Sequence, residues 1–377
     1  MKVKKIHLAS ISDIHLGHRL NSTFEIIKNL GCAIGDNAET SQIDLLLLAG
    51  DVFDNLLNLS KDEVTEIDFW IASLIRICAK FQIVLRIVEG TPFHDRTQSK
   101  RFFVINEIMG NLVDLKYVST ISIEYIEKFG INMLYVPDEA SESPEKTLHI
   151  VKELMASKGL EQVDFACMHG AFDYQLPIIS KDHKHNSAEY LRLVKYLITI
   201  GHVHTFSQFD RIFAQGSFDR LAHGEEEAKG FVKATVWQDG EWEVKFVENH
   251  GAKKFVTFKS EKDSLEETLA DIEQLVYSLP EKSHIRLDLP KGHPLLVGMD
   301  TLIRSFPGIF WAKKEQKEDM VEDDLIPDAE NEYVPITITK DNIVDMVVTR
   351  MGHRDQITGE VLEAATMYLK RIIDERK

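Results

Sequence analysis

Apolar positions fall into short runs that alternate with segments of helical spacing. Residues 3–11, 43–49 and 83–88 read as strands, the second almost wholly apolar. Between them, Thr23 to Leu30 reads as a helix with Ser22 as its N-cap. Ile67, Trp70, Ile71, Leu74, Ile75 and Cys78 repeat at helical spacing across residues 61–80. Short strands are expected at 115–118, 121–126 and 131–136, a helix at 144–157, a strand at 163–168, and a helix–strand pair within 187–200. This alternation predicts an α/β sheet with functional loops at the strand ends. Further on the pattern becomes β, at 208–214, 230–237 and 241–247. The last two runs are joined by Gln238-Asp239-Gly240, a hairpin signal.

The remainder reads differently. Strand, helix, strand, helix and strand at 255–258, 264–277, 284–289, 295–306 and 309–312 predict a separate small α/β unit. Residues 315–332 hold nine Asp or Glu against the single Lys317, the mark of a solvated linker. Residues 342–350 and 360–376 read as helices with Asp341 and Thr358 as N-caps. The apolar stripe of the second (Val361, Leu362, Ala365, Tyr368, Leu369, Ile372) needs a surface to dock on. The expected organisation is 1–250, a main domain; 251–314, a capping domain; 315–335, a linker; and 336–377, a helical tail.

Composition narrows the class. A chain of 377 residues exceeds one typical core. No apolar stretch approaches the roughly 20 residues that span a bilayer, and no signal peptide is expected, so the expected location is the cytoplasm. Cys32, Cys78 and Cys167 have no Cys-x-x-Cys spacing and read as reduced, small core residues. The net charge of −17 argues against nucleic-acid binding through the whole surface. It leaves room for a local groove, and carboxylates that hold cations add to the count.

The candidate chemistry sits in five loops, each after a predicted strand: Asp13/His15, Asp51, His94/Asp95, His169 and His202/His204. Residues two apart at the end of a strand point to one side, so Asp13 and His15 can aim at one point. Carboxylates and imidazoles without cysteine suit manganese, iron or zinc in a catalytic setting. There are more ligands than one ion needs, which points to a two-ion site with centres about 3.5–4 Å apart.

Asp-x-His, Gly-Asp-x-x-Asp, Gly-x-x-x-His-Asp, His-Gly and Gly-His-x-His, in this order, resemble the calcineurin-like metallophosphoesterase signature. Gln215-Gly216-Ser217-Phe218-Asp219-Arg220-Leu221, Gly224-Glu225-Glu226-Glu227 and Lys229-Gly230-Phe231 resemble the segment after the last histidine motif of SbcD-type nucleases, phage recombination endonucleases included. The resemblance implies a sandwich of two mixed β-sheets flanked by helices, a small α/β DNA-binding capping domain and a helical tail that clasps an SbcC-type SMC-like ATPase. It implies two divalent ions, manganese first, with magnesium, iron or zinc as alternatives. Asp13, His15, Asp51 and His204 would hold one ion; Asp51, His169 and His202 would hold the other. His94 would protonate the leaving 3′ oxygen, and Asp95 would orient it.

One departure stands out. Where the family has Gly-Asn-His-Asp, this chain has Gly90-Thr91-Pro92-Phe93-His94-Asp95. Either the Thr91 hydroxyl or a water replaces the Asn ligand, or Thr91-Pro92 is a turn that aims His94. His18 and Arg19 are candidate phosphate contacts, with solvated loop residues as the plain alternative. The loop 181–185, with His183 and His185, reads as solvated, Arg220 as a structural salt bridge, and Trp237 and Trp242 as packing residues. The expected function is metal-dependent hydrolysis at DNA ends, a 3′–5′ exonuclease and single-strand endonuclease acting as a homodimer with an ATPase. The alternatives are a phosphodiesterase of cyclic nucleotides or nucleotides and a non-catalytic DNA-end scaffold.

Overall fold

A strand whose residues are mostly apolar and buried needs a packed layer on each face. β1 (Lys5–Ile11), β2 (Leu45–Ala49) and β3 (Val84–Val88) meet that need in a computed structural model describing residues 5–57, 62–138, 143–177, 183–262, 264–314 and 367. Leu45, Leu47 and Ala49 of β2 face a core between two sheets, while Leu46 and Leu48 face helices on the outside. Those helices are α1 (Thr23–Ala33) and α2 (Asp62–Phe81), joined by α3 (Lys100–Ile108), whose Phe102 packs edge-on against Trp70 of α2.

The first sheet continues through β4 (Leu115–Val118). The second holds β5 (Ser122–Ile126), β6 (Ile131–Val136), β7 (Val163–Phe172), β9 (Val194–His202), β10 (Ser207–Phe209) and β11 (Ile212–Ala214), with the short β8 (Lys184–His185) paired to β7. Helices α4 (Pro144–Ser157) and α5 (Ser187–Leu193) cover its outer face. β12 (Gly230–Trp237) and β13 (Trp242–Glu248) then return to the first sheet, giving the orders β13-β12-β1-β2-β3-β4 and β10-β11-β9-β7-β6-β5. Both sheets are mixed: β1, β2 and β3 run parallel, as do β6, β7 and β9, while β1–β12 and β5–β6 are antiparallel. The layers run helix, sheet, sheet, helix. Buried Arg86 of β3 ties the sheets through paired hydrogen bonds of 3.0 Å to Glu124 of β5.

β14 (Phe255–Lys259), α6 (Leu265–Tyr277), β15 (His284–Asp288), α7 (Pro294–Val297), α8 (Met299–Ser305) and β16 (Phe310–Lys313) form a three-stranded parallel sheet with its helices. It has its own core of Ile272, Ile285, Leu287, Leu302 and Ile309. Residues up to Lys314 make one compact unit. The expected linker at 315–335 and tail at 336–377 lie outside the described residues, apart from Met367.

Several expectations need correction. α3 gives little pattern because Phe102 and Asn106 are its only fully buried positions. The helix expected at 295–306 is broken at Gly298. β7 runs on past Met168 to Phe172, so His169 lies within a strand. Cys32 is exposed, unlike Cys78 and Cys167. His185 is half-buried against Phe172 and Tyr190, so that end of the 181–185 loop is packed. Arg220 forms no salt bridge among the described residues; it donates to the carbonyls of Glu225, Glu227, Ala252 and Lys253.

Candidate metal centre

The carboxyl ends of β1, β2 and β3 in one sheet and of β7 and β9 in the other converge. Asp13 N–H donates to the Gly50 carbonyl at 3.1 Å and Ile14 N–H to the Asp51 carbonyl at 2.8 Å, which locks the first two loops together. Four residues here have left-handed backbone: Asp13 (φ 50°), His15 (φ 53°), Asp51 (φ 49°) and His202 (φ 98°). Each such non-glycine residue costs on the order of 1 kcal/mol, and such strain collects at functional sites. Where no side chain fits, glycine stands. A Cβ on Gly50, itself at φ +82°, would lie 2.1 Å from His169 Nδ1, and one on Gly201 would lie 2.4 Å from the Ala49 carbonyl oxygen.

Two groups of potential ligands result, Asp13/His15/His204 and Asp51/His169/His202, and a third set, His15/Asp54/His94, overlaps the first. Asp51 is buried between the two groups: its Oδ2 lies 3.3 Å from His169 Nε2 and 4.0 Å from His15 Nε2. His204 Nε2 lies 3.7 Å from Asp13 Oδ1. Both Asp13 oxygens accept from His202 N–H at 3.0 Å, and Ser12 Oγ donates to one of them.

Thr91 sits in the second group. Its N–H donates to Asp51 Oδ1 at 2.6 Å, and its Oγ1 lies 3.1 Å from Asp51 Oδ2, 3.4 Å from His169 Nε2 and 3.4 Å from His202 Nδ1.

Ring orientation is fixed from behind. Ala49 O can only accept, so His169 Nδ1–H donates to it (2.7 Å) and leaves Nε2 toward Asp51. His15 Nδ1 faces Asp54 Oδ1 and His204 Nδ1 faces Glu225 Oε1, both at 3.1 Å. His94 Nδ1–H donates to the Asp54 carbonyl at 2.6 Å.

Charge follows geometry. Burial opposes ionisation of Asp51, yet His169, His15 and His94 outweigh it and hold the carboxyl well below the usual range. Burial disfavours the His169 cation, but Asp51 and then Asp13 raise its pKa well above the ordinary value. The lone pair that holds that proton is the one a cation would take. Asp54 and Glu225 are each held down at about 2, against burial, by His15 and Asn55 and by His204 and Lys229 respectively.

The donor set fits divalent cations. His15 Nε2 is buried without a hydrogen-bond partner, an orphan that an ion would satisfy. Thr91 Oγ1, Asp51 Oδ2 and the two imidazole nitrogens of the second group are spaced 3.1–3.4 Å along the separations given above. Donors about 2 Å from a four-coordinate ion have that spacing.

Asp95 does not take the expected place behind His94. Its oxygens accept from Phe53 N–H (2.9 Å) and Gly90 N–H (2.8 Å), so it ties together the loops after β2 and β3. Full burial, with the Asp51 and Glu89 charges, pushes its carboxyl up to about 8; cations beside Asp51 would reverse that neighbour's contribution. Half-buried His18 is shifted down by burial, against the pull of Asp54, so it is a weaker partner for a phosphate than a charged histidine, whereas Arg19 is exposed. The sequence reading gave no role to Asp54, Glu225 or Ala49. Asp54 had a signal, as the second acid of Gly-Asp-x-x-Asp; Glu225 had only its place in the family-like segment; a backbone carbonyl has none.

No protein-family model matches this chain, and no curated protein sequence does. Among solved structures, the chain is similar to TT1561 of Thermus thermophilus, at 10% identity over 64% of this chain and 98% of that one, with a TM-score of 0.37. It is also similar to GAP50, titled the anchor in the inner membrane complex of Plasmodium, at 15% identity over 78% of this chain and 99% of that one, with a TM-score of 0.37.

Proposed function

We propose that this chain hydrolyses phosphodiester bonds at DNA ends, as the nuclease subunit of an SbcCD-type complex in recombination, repair or replication. The observation that carries the reading is the single Asp51 carboxylate set between two histidine–carboxylate groups. Asp13, His15, His204 and Asp51 would hold one divalent ion, and Asp51, His169 and His202, with Thr91, the other. Manganese is the first choice and magnesium, iron or zinc the alternatives; such ions supply Lewis-acid charge to a phosphoryl oxygen and to the attacking water. His94, its Nδ1–H committed to the Asp54 carbonyl, keeps Nε2 for a proton on the leaving oxygen. Exposed Arg19, beside His18, would meet a neighbouring phosphate.

The partners proposed are DNA, a second copy of the chain, and an SMC-like ATPase held by residues 336–377, all in the cytoplasm. Phe69 of α2 and Val104 and Ile108 of α3 are exposed apolar residues on helices that pack together, and a second copy would cover them. The test is Mn-dependent digestion of a 3′-labelled duplex, alone and with the ATPase subunit and ATP, by wild type, His94→Gln and Asp51→Asn. Cleavage by wild type and loss in both variants is expected, with ion binding kept in His94→Gln. Hydrolysis of cyclic nucleotides without DNA cleavage would replace the reading with the small-substrate one. Cleavage unchanged in both variants would place the chemistry elsewhere.

A further inference from the structure

What stands behind the imidazole of His169 differs from what stands behind those of His15 and His204. His169 is backed by a neutral carbonyl, Ala49 O, at 2.7 Å. In the other group both imidazoles are backed by carboxylates, His15 by Asp54 and His204 by Glu225, each at 3.1 Å. Glu225 is itself clamped. The buried Lys229 places Nζ 3.0 Å from Glu225 Oε2, 2.8 Å from Glu227 Oε1 and 2.9 Å from the carbonyl oxygen of His204. Leu221 N–H donates to Glu225 Oε2 at 3.0 Å. One lysine therefore holds both the main chain of His204 and the carboxylate behind its ring.

We infer that Glu225, clamped by Lys229, is a positioning residue for His204 and makes the Asp13/His15/His204 position the tighter of the two ion sites. This rests on the reading above that these groups hold divalent ions. The anionic acceptor fixes the proton on Nδ1, turns Nε2 toward Asp13 and raises the basicity of the ring as a ligand. Two carboxylates, Asp54 and Glu225, stand behind the rings of this group, the second shared with Lys229, whereas the Ala49 carbonyl stands behind His169.

The experiment is calorimetric titration of the full chain with Mn²⁺ for wild type, Asp13→Asn, Glu225→Gln and Glu227→Gln. Glu227 shares Lys229 with Glu225 but has its other side-chain bond to Thr205 rather than to the His204 ring. Wild type is expected to bind in two steps. Asp13→Asn should remove the tighter step. Glu225→Gln should weaken the tighter step by roughly 10–100-fold and leave the weaker one in place, while Glu227→Gln changes neither. Thermal unfolding in chelator, with matching midpoints for the two glutamine variants, reads the fold separately.

An unchanged tighter step in Glu225→Gln overturns the inference. So does an equal weakening in Glu227→Gln, which would reduce the effect to the charge around Lys229, and so does loss of the weaker step in Asp13→Asn. Wild type that binds no ion would remove the metal reading itself, whereas two-step binding indifferent to Glu225 would remove the inference alone.

Discussion

Thr91→Ala asks whether a hydroxyl can take the place of an amide ligand, and its two possible effects have opposite signs. Without an ion, Thr91 Oγ1 donates to Asp51 Oδ2 at 3.1 Å, a hydrogen bond to a charged group worth about 1.5–3 kcal/mol. If that is its whole role, its loss destabilises the ion-free carboxylate. Ion binding then stays level or tightens, by up to roughly 100-fold. If the hydroxyl is a ligand, the second ion loses one of four closely spaced donors. Removing even an outer partner of a ligand weakens binding roughly 10–100-fold, so a larger loss is expected here. The loop itself survives, because Thr91 N–H still donates to Asp51 Oδ1 at 2.6 Å and His94 stays on the Asp54 carbonyl. We expect the weaker Mn²⁺ step to fall by at least tenfold in Thr91→Ala and to recover in Thr91→Asn, which restores an amide oxygen. Calorimetric titration of the three proteins reads it directly. A second step equal to or tighter than wild type in Thr91→Ala refutes the ligand role and leaves Thr91-Pro92 as a turn.

Two further expectations concern the scaffold. In Gly201→Ala the new Cβ would meet the Ala49 carbonyl oxygen at 2.4 Å, Ser12 Cβ at 2.6 Å and His169 Nδ1 at 2.8 Å, all fixed by the two sheets. Urea unfolding should show a loss of about 1–3 kcal/mol together with weakened ion binding, and wild-type values for both would show that the sheets can separate without cost. Burial lowers His185 from 6.5 to about 4, against the pull of Asp138. The unfolded chain takes up a proton below pH 6.5 that the folded chain refuses, so the stability linked to His185 declines from pH 7 down to about pH 4, and that contribution is flat below. The His185 share of that decline is at most about 3 kcal/mol. His185→Phe, packed beside Phe172 and Tyr190, should flatten the slope between urea midpoints at pH 7 and pH 5, and an unchanged slope would assign it to other groups.

The sequence by itself marked most of the elements and the Asp and His positions that come together at the strand ends. Continuous apolar runs such as Leu45–Ala49 require burial on both faces, and the two cores around the first sheet supply it. Asp13 and His15, two apart after a strand, do meet in one group. Local periodicity has no access to what those residues touch. His169 meets Ala49 across 120 positions of chain, His202 N–H meets Asp13 across 189, and Glu225 meets His204 across 21, with Lys229 bonded to both.

The exchange of Asp95 for the Asp54 carbonyl behind His94 has the same origin. Neighbours in sequence are drawn together in a motif, but hydrogen-bond partners are set by which loops the two sheets bring edge to edge. The left-handed backbone at Asp13, His15, Asp51 and His202 carries little signal in residue type, since none of the four is glycine and Asp and His are only enriched there. Tertiary hydrogen bonds such as Asp13 N–H to Gly50 O hold part of that strained backbone in place, and such bonds exist only once both loops are assembled.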